Sequence, residues 1–195
     1  MIILEDKGQQ LGKHTIKNDY WKSLGIEVIR VPLPTGDYVI NNDKTQDVIN
    51  RKMKRNIEAK KMDFLGTYKV TVDTKKDIAE ISDNVCGKGH ARFRDECILA
   101  QNNNIKLYTL VENREGIADL QDLFNYTSER RKRWFQIRNA HQKGKMLSYK
   151  ISKIPPVSGE QLAKSMLTMQ EKYGVTFLFC TPEEAGRKVI ELLEG

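Results

Sequence analysis

The chain has 195 residues, a net charge of +7, and 39% hydrophobic and 30% charged residues. That suits one globular domain, and no apolar run approaches the roughly 18 residues of a membrane-spanning helix. Cys86, Cys97 and Cys180 are scattered without a C-x-x-C pair, and His14, His90 and His141 show no ligand spacing. These patterns argue against a zinc site or a disulfide framework and for reduced thiols in a cytoplasmic protein.

In chain order, "MIILED" predicts a core strand rather than a signal peptide, because its apolar run is short and closes on an acid. "KHTIKNDYWKSLG" fits a helix ended by Gly25, "IEVIRVPL" a second strand, and "TGDYVI" a turn entering a third. "NNDKT" reads as a loop and "QDVINRKMKRNIEAKKMDFLG" as a basic helical segment, with Ile49, Met53 and Ile57 as a modest apolar stripe. "YKVTVDT" is the fourth strand, "KKDIAEISDNV" a helix, and "ARFRDECILAQNN" another with Phe93, Cys97 and Ala100 on one side. "IKLYTLVE" is a buried strand, "NREGIADLQDLFNYTSE" is irregular, and "KIPPVSG" looks like a linker. A helix, a strand "VTFLFC" and a last helix close the chain, with Thr181, Pro182 and Glu184 as the N-cap, N1 and N3 of that last helix. Strands mixed with helices predict an α/β fold with a mixed central sheet flanked by helices.

The charge is uneven. Residues 128–153 carry nine Lys or Arg against one acid, and residues 44–69 carry eight against three. Either run alone reads as a solvated face; together they point to a polyanion partner.

Three carboxylates fall at strand ends: Asp6 after "MIIL", Asp37 before "YVI", and Asp73 after "VTV". Lys75 shares a face with Asp73, because strand side chains alternate. Clustered carboxylates repel one another, and Mg²⁺ or Mn²⁺ with few hard oxygen ligands relieves this best. Such an ion lowers the pKa of a bound water and neutralises charge developing on a phosphate.

"PTGDYVI", "VTVDTKKDI" and "ARFRDECILAQNNNIKLYTLVE" together resemble the nuclease domain of the XPF-type, structure-specific endonucleases, most of all their small phage and mobile-element versions, with a restriction-endonuclease-like core. The resemblance covers residues 1–112 well. It matches Asp37 to the acid of G-D-Y, Asp73 and Lys75 to the outer residues of E-R-K, Asp77-Ile78 to D-L, and Arg92 to the arginine of G-R. Asp6 best matches the family's first aspartate, although the following R-E reads Gly8-Gln9 here. A rival register would set "VINRK" on E-R-K with Asn50 in the acid's place; "VTVDTKKDI" has the better strand and the following D-I.

The resemblance implies a single nuclease domain over residues 1–195, with a basic helical insertion at 41–69 and a basic segment at 128–153. It implies catalysis by Asp37, Asp73 and Lys75, and Mg²⁺ or Mn²⁺ on Asp6, Asp37 and Asp73. The basic runs and Arg92 nominate Arg51, Lys52, Lys54, Arg55, Arg92, Arg130, Arg131, Lys132 and Arg133 for DNA binding. The activity implied is hydrolysis of DNA phosphodiester bonds in branched or nicked DNA, with a branch preference expected to be weaker than the family's because 195 residues leave no room for its tandem helix-hairpin-helix domain, and a homodimer as an open state. The alternative is a catalytically weak or silent DNA-binding protein on the same scaffold.

Overall fold

The computed structural model describes residues 1–10, 12–143 and 152–195. Its strands are β1 Ile2–Asp6, β2 Glu27–Val31, β3 Tyr38–Ile40, β4 Val70–Lys75, β5 Lys106–Glu112 and β6 Thr176–Cys180. The helices are α1 Thr15–Ser23, α2 Asp43–Lys54, α3 Ile78–Cys86, α4 His90–Asn102, α5 Leu120–Asn125, α6 Glu129–Gln142, α7 Gly159–Tyr173 and α8 Ala185–Glu194.

The six strands form one sheet in the order β2-β1-β3-β4-β5-β6. β1 runs parallel to β2, β3 is antiparallel to both β1 and β4, and β4, β5 and β6 are mutually parallel. Two reversals bring β1 and β4 back to one direction. The C-terminal ends of β1, β4 and β5 and the N-terminal end of β3 therefore share one edge of the sheet.

Alternation along the strands splits the core in two. Leu4, Val39, Leu107 and Val111 face a layer that includes Phe64, Ile81, Phe93 and Met166. Ile3, Tyr38, Val72 and Leu110 face the opposite layer with Trp21, Val189 and Leu193. Trp21 meets Tyr38 edge-on at 5.1 Å between ring centres and donates its indole N–H to the carbonyl of Gly186 at 2.9 Å.

Several expectations change. The "NNDKT" stretch is no loop: Asn42 caps α2, its Oδ1 accepting from the amides of Lys44 and Thr45, while Thr45 Oγ1 accepts from the Asn42 amide. The helix then stops at Lys54, with Asn56 at a φ of 51° just beyond. "VINRK" lies inside α2 with Asn50 exposed, so it is not a strand end. α2 buries Thr45 and Val48, whereas Met53 and Ile57 are exposed. Phe64 pins the return to β4.

The "irregular" stretch contains the short helix α5, capped by Asp119. Thr181 does bond the Glu184 carboxylate through both its amide and its hydroxyl, but Pro182–Glu184 form a turn and α8 begins at Ala185. The basic segment becomes α6 with Ser128 as cap; residues 144–151 lie outside the described residues. The three cysteines are free.

A candidate active site at one end of the sheet

The sheet edge described above gathers the strand-end acids. Asp6, Asp37, Asp73 and Lys75 line one open cleft of about 1070 Å³. Their shared face follows from alternation. Asp6 lies two residues after Leu4, Asp37 two before Val39, and Asp73 two after Thr71, all on the Phe64–Phe93 side. Asp37 extends the backbone ladder, with its amide on the Val72 carbonyl at 2.9 Å and its carbonyl accepting from the Asp6 amide at 2.8 Å. Gly36, at a φ of 68°, makes the turn; a Cβ there would fall 2.0 Å from Thr71 Oγ1, so the turn requires glycine.

Asp37 Oδ2 accepts from the Thr74 amide at 2.7 Å and the Thr74 hydroxyl at 2.9 Å, which locks its rotamer. The Lys75 ammonium donates to Asp73 Oδ1 at 2.7 Å and lies 5.4 Å from the centre of the Phe93 ring. Asp73 and Lys75 are both buried. Asp6 has partners of its own: its Oδ1 accepts from the Leu33 amide at 2.8 Å, and Lys61 lies 3.7 Å from its Oδ2.

Three groups in or under this cleft were not nominated as site residues by the sequence. Glu96 of α4 accepts from the Gly36 amide at 2.7 Å and lines the cleft beside Asp37. Its spacing carried a signal: it stands three residues after Phe93 and four before Ala100, on the buried stripe of α4. Glu112, at the end of β5, meets the buried ammonium of Lys17 from α1. His14, just before α1, lines the cleft wall.

The electrostatics are those of too many carboxylates in too little water. Burial holds the Asp73 carboxyl well above the usual range; Lys75 pulls it down, and Asp37 and Glu96 push it up. Burial likewise raises Glu96, against the Gly36 amide and Lys75. Burial works against the charge of Lys75 too, but Asp73, Asp37 and Glu96 outweigh it and raise its pKa, so it stays an ammonium.

This has a consequence for stability. A carboxyl whose folded pKa exceeds its unfolded value binds more protons when folded between the two. Its contribution to stability is therefore present at low pH and lost as pH rises from about 4 through the raised value. Asp73→Asn removes that penalty. In metal-free buffer the melting temperature of Asp73→Asn is expected to gain on that of the wild-type protein as pH rises from about 4 through the raised value of Asp73. A difference independent of pH would refute this account of the site.

The basic candidates are dispersed. Arg92 lines the cleft. On α2, Arg51 pairs with Asp47 and Lys52 with Asp63, whereas Lys54 and Arg55, the residue that ends the helix, make no ion pair among the described residues. On α6, Lys132 pairs with Glu129, Arg131 donates to the Pro156 carbonyl and stacks over Phe135, and Arg130 borders a second groove. Arg133 lies on the same helix. Among the described residues no helix is long and apolar enough to cross a membrane.

Among the described residues, no three His, Cys, Asp or Glu side chains are set around a point where a metal ion could sit. The donor chemistry nevertheless suits a hard cation. The buried groups are carboxylate oxygens in excess over lysine, and their mutual repulsion is what a divalent ion relieves.

No family model matches the chain, and no curated protein does. Among solved structures, XPF from Aeropyrum pernix is similar over 100% of this chain, with a TM-score of 0.51 and 13% sequence identity. This chain spans 60% of the length of that one. The likeness is one of fold: a six-stranded mixed sheet flanked by helices, of the XPF type.

Proposed function

We propose that this chain is a metal-dependent DNA endonuclease that hydrolyses phosphodiester bonds in the cleft between β1, β3 and β4. The observation that carries this reading is the convergence of Asp37, Asp73, Lys75 and Glu96 at one end of an XPF-type sheet. Asp6, Asp37 and Asp73 would hold Mg²⁺ or Mn²⁺, which would activate a water and neutralise charge on the phosphate. Thr74 fixes the orientation of Asp37, and Asp73 fixes that of Lys75. An ammonium has three N–H donors, so Lys75 retains donors for a water or a phosphate oxygen.

Arg92 in the cleft, Arg51, Lys52 and Lys54 of α2 with Arg55 at its C-cap, and Arg130, Arg131, Lys132 and Arg133 on α6 would hold the DNA backbone. Lys54 and Arg55 carry the larger share on α2, since Arg51 and Lys52 already have acidic partners. Branched or nicked DNA as substrate, and pairing into a homodimer, belong to the same proposal.

A second reading has its own support. Lys75 sits on Asp73, and three metal-binding side chains do not yet converge on one point among the described residues. That arrangement suits a DNA-binding protein with little or no catalysis.

Incubating the protein with flap, fork, nicked and linear duplex DNA, with and without Mg²⁺ or Mn²⁺, separates the two. Cleavage that requires the metal supports the endonuclease. Salt-sensitive binding without cleavage under any metal supports the silent binder. On either reading, reversing the charges of Arg130, Arg131, Lys132 and Arg133 is expected to weaken binding whatever the DNA sequence. It should also flatten the plot of log affinity against log salt by about 0.9 for each phosphate that α6 no longer neutralises. Unchanged affinity at low salt would show that α6 is a solvated face.

A further inference from the structure

The chain between α2 and β4, residues 55–69, runs back past the end of β1. Glu58 takes the ammonium of Lys7, the residue that follows β1. Lys61–Phe64 form a single 3-10 turn. Asp63 Oδ2 accepts from the Lys60 amide and pairs with Lys52 of α2, each at 2.7 Å. Phe64 is fully buried in the core. Asn42 Nδ2 donates to the Thr67 carbonyl at 2.9 Å and closes the neck of the segment. Lys61 stands among these anchors, and it is the one residue of 41–69 that, among the described residues, lines the cleft.

We propose that Lys61 is a phosphate-binding residue of the cleft: its ammonium grips the DNA phosphate seated there from the β1 side, across from Lys75 on the β4 side. The proposal rests on the DNA reading above and adds a residue that was not named there.

Position favours it. Of the Lys and Arg that line the cleft, Lys61 and Lys75 lie beside strand-end acids, Lys61 at Asp6 and Lys75 at Asp73. β3, which Asp37 precedes, runs between β1 and β4. Adjacent strands are about 4.8 Å apart, so β1 and β4 are about 10 Å apart. A phosphate between two ammonium groups on flexible stems bridges a gap of that order.

Availability favours it too. The Lys61 side chain is 59% exposed, and its ammonium lies 3.7 Å from Asp6 Oδ2. That is longer than a charge-assisted hydrogen bond, so its three N–H donors are open to an incoming oxygen. Gly8 keeps the approach clear, since a Cβ there would fall 2.5 Å from Asp6 Oδ2. Stability does not account for the arrangement. An exposed pair at this distance adds little to it, yet the turn that carries Lys61 is fastened through Lys7, Lys52 and Phe64.

The test is duplex binding in EDTA, read by fluorescence anisotropy over a range of salt, together with single-turnover cleavage at saturating DNA. Lys61→Met is expected to flatten the plot of log affinity against log salt by about 0.9, the loss of one phosphate. It should also slow cleavage by at least about tenfold. Lys61→Arg keeps the charge and should restore most of both. Because Lys61 is exposed, Lys61→Met should melt with the wild-type protein. Repeating the binding pair in an Asp6→Asn background separates contact from neutralisation. A phosphate contact persists there, whereas a lysine that merely offsets Asp6 has no effect. An unchanged slope in Lys61→Met, a change that vanishes with Asp6→Asn, or wild-type cleavage in Lys61→Met overturns the proposal. The endonuclease reading fails separately. No cleavage by the wild-type protein under any metal sinks that reading, and the salt slope then decides the role of Lys61. Metal-dependent cleavage with an unchanged slope in Lys61→Met does the reverse.

Discussion

Asp73→Asn is expected to lower single-turnover cleavage by at least about a thousandfold while leaving the protein folded. The substitution removes a charge and keeps the shape, so Lys75 can still donate to the remaining carbonyl oxygen. Asp37 and Glu96 still surround the ammonium and keep it charged. Burial already disfavours the Asp73 carboxylate, so the neutral amide relieves a cost in the metal-free protein. Loss of cleavage accompanied by an unchanged or higher melting temperature is therefore the outcome that marks a functional acid. Asp37→Asn should behave the same way toward cleavage. It also exchanges an acceptor of two bonds from Thr74 for a neutral one, so a modest loss of stability is expected there. Lys75→Met differs in kind: it leaves Asp73 buried without its 2.7 Å partner, so cleavage and stability fall together. Wild-type cleavage in Asp73→Asn would remove Asp73 from the site and the proposed chemistry with it.

Lys17→Met is expected to be the most damaging single change outside the proposed catalytic residues, costing about 3–5 kcal/mol. The ammonium of Lys17 and the carboxylate of Glu112 are bonded to each other, with side-chain exposures of only 3% and 11%. Deleting Lys17 strands the Glu112 carboxylate, largely buried at the inner edge of the cleft, without its partner, so its desolvation is uncompensated. Domains are stable by only about 5–15 kcal/mol, so this is a large fraction of the total. For a chain of this size each kcal/mol lowers the melting temperature by about 2–4 °C, so a fall of roughly 6–20 °C is expected. The double variant Lys17→Met with Glu112→Leu should recover much of the loss, because a buried pair and an apolar pair of similar volume are close in stability. A fall of less than about 2 °C in Lys17→Met would show that the pair is open to water and contributes little.

The lone strand-end acids and the spacing of Asp73 and Lys75 were legible in the sequence, because both depend on local geometry. A strand alternates with a period of two, so "VTVDTK" by itself sets Asp73 and Lys75 on one face. The same rule carried the mixed α/β fold. Glu112 also ends a buried strand, and the signal that marked Asp6, Asp37 and Asp73 would have flagged it.

Where the reading failed locally, competing local interactions were the cause. Asn42 and Thr45 close a capping box that turns a loop-like "NNDKT" into the start of α2. The six residues of α5 are too few to show a helical period. The period of α2 suggested an apolar seam of Ile49, Met53 and Ile57, but packing used Ile49 with Thr45 and Val48 and left Met53 and Ile57 exposed.

What the chain determines by itself, then, is which side chains share a face of one element, since that follows from backbone geometry over a few residues. Only the tertiary structure decided which faces meet. Asp95 and Glu96 are adjacent acids of nearly equal chemistry, yet α4 docks so that Asp95 is exposed while Glu96 receives the Gly36 amide sixty positions away. Lys17 faces inward with Trp21 one helical turn on, and its partner Glu112 lies ninety-five positions off. Such pairings depend on strand order and helix docking, and the free energy that selects them is the burial of two whole core layers, to which no single residue's neighbours along the chain give access.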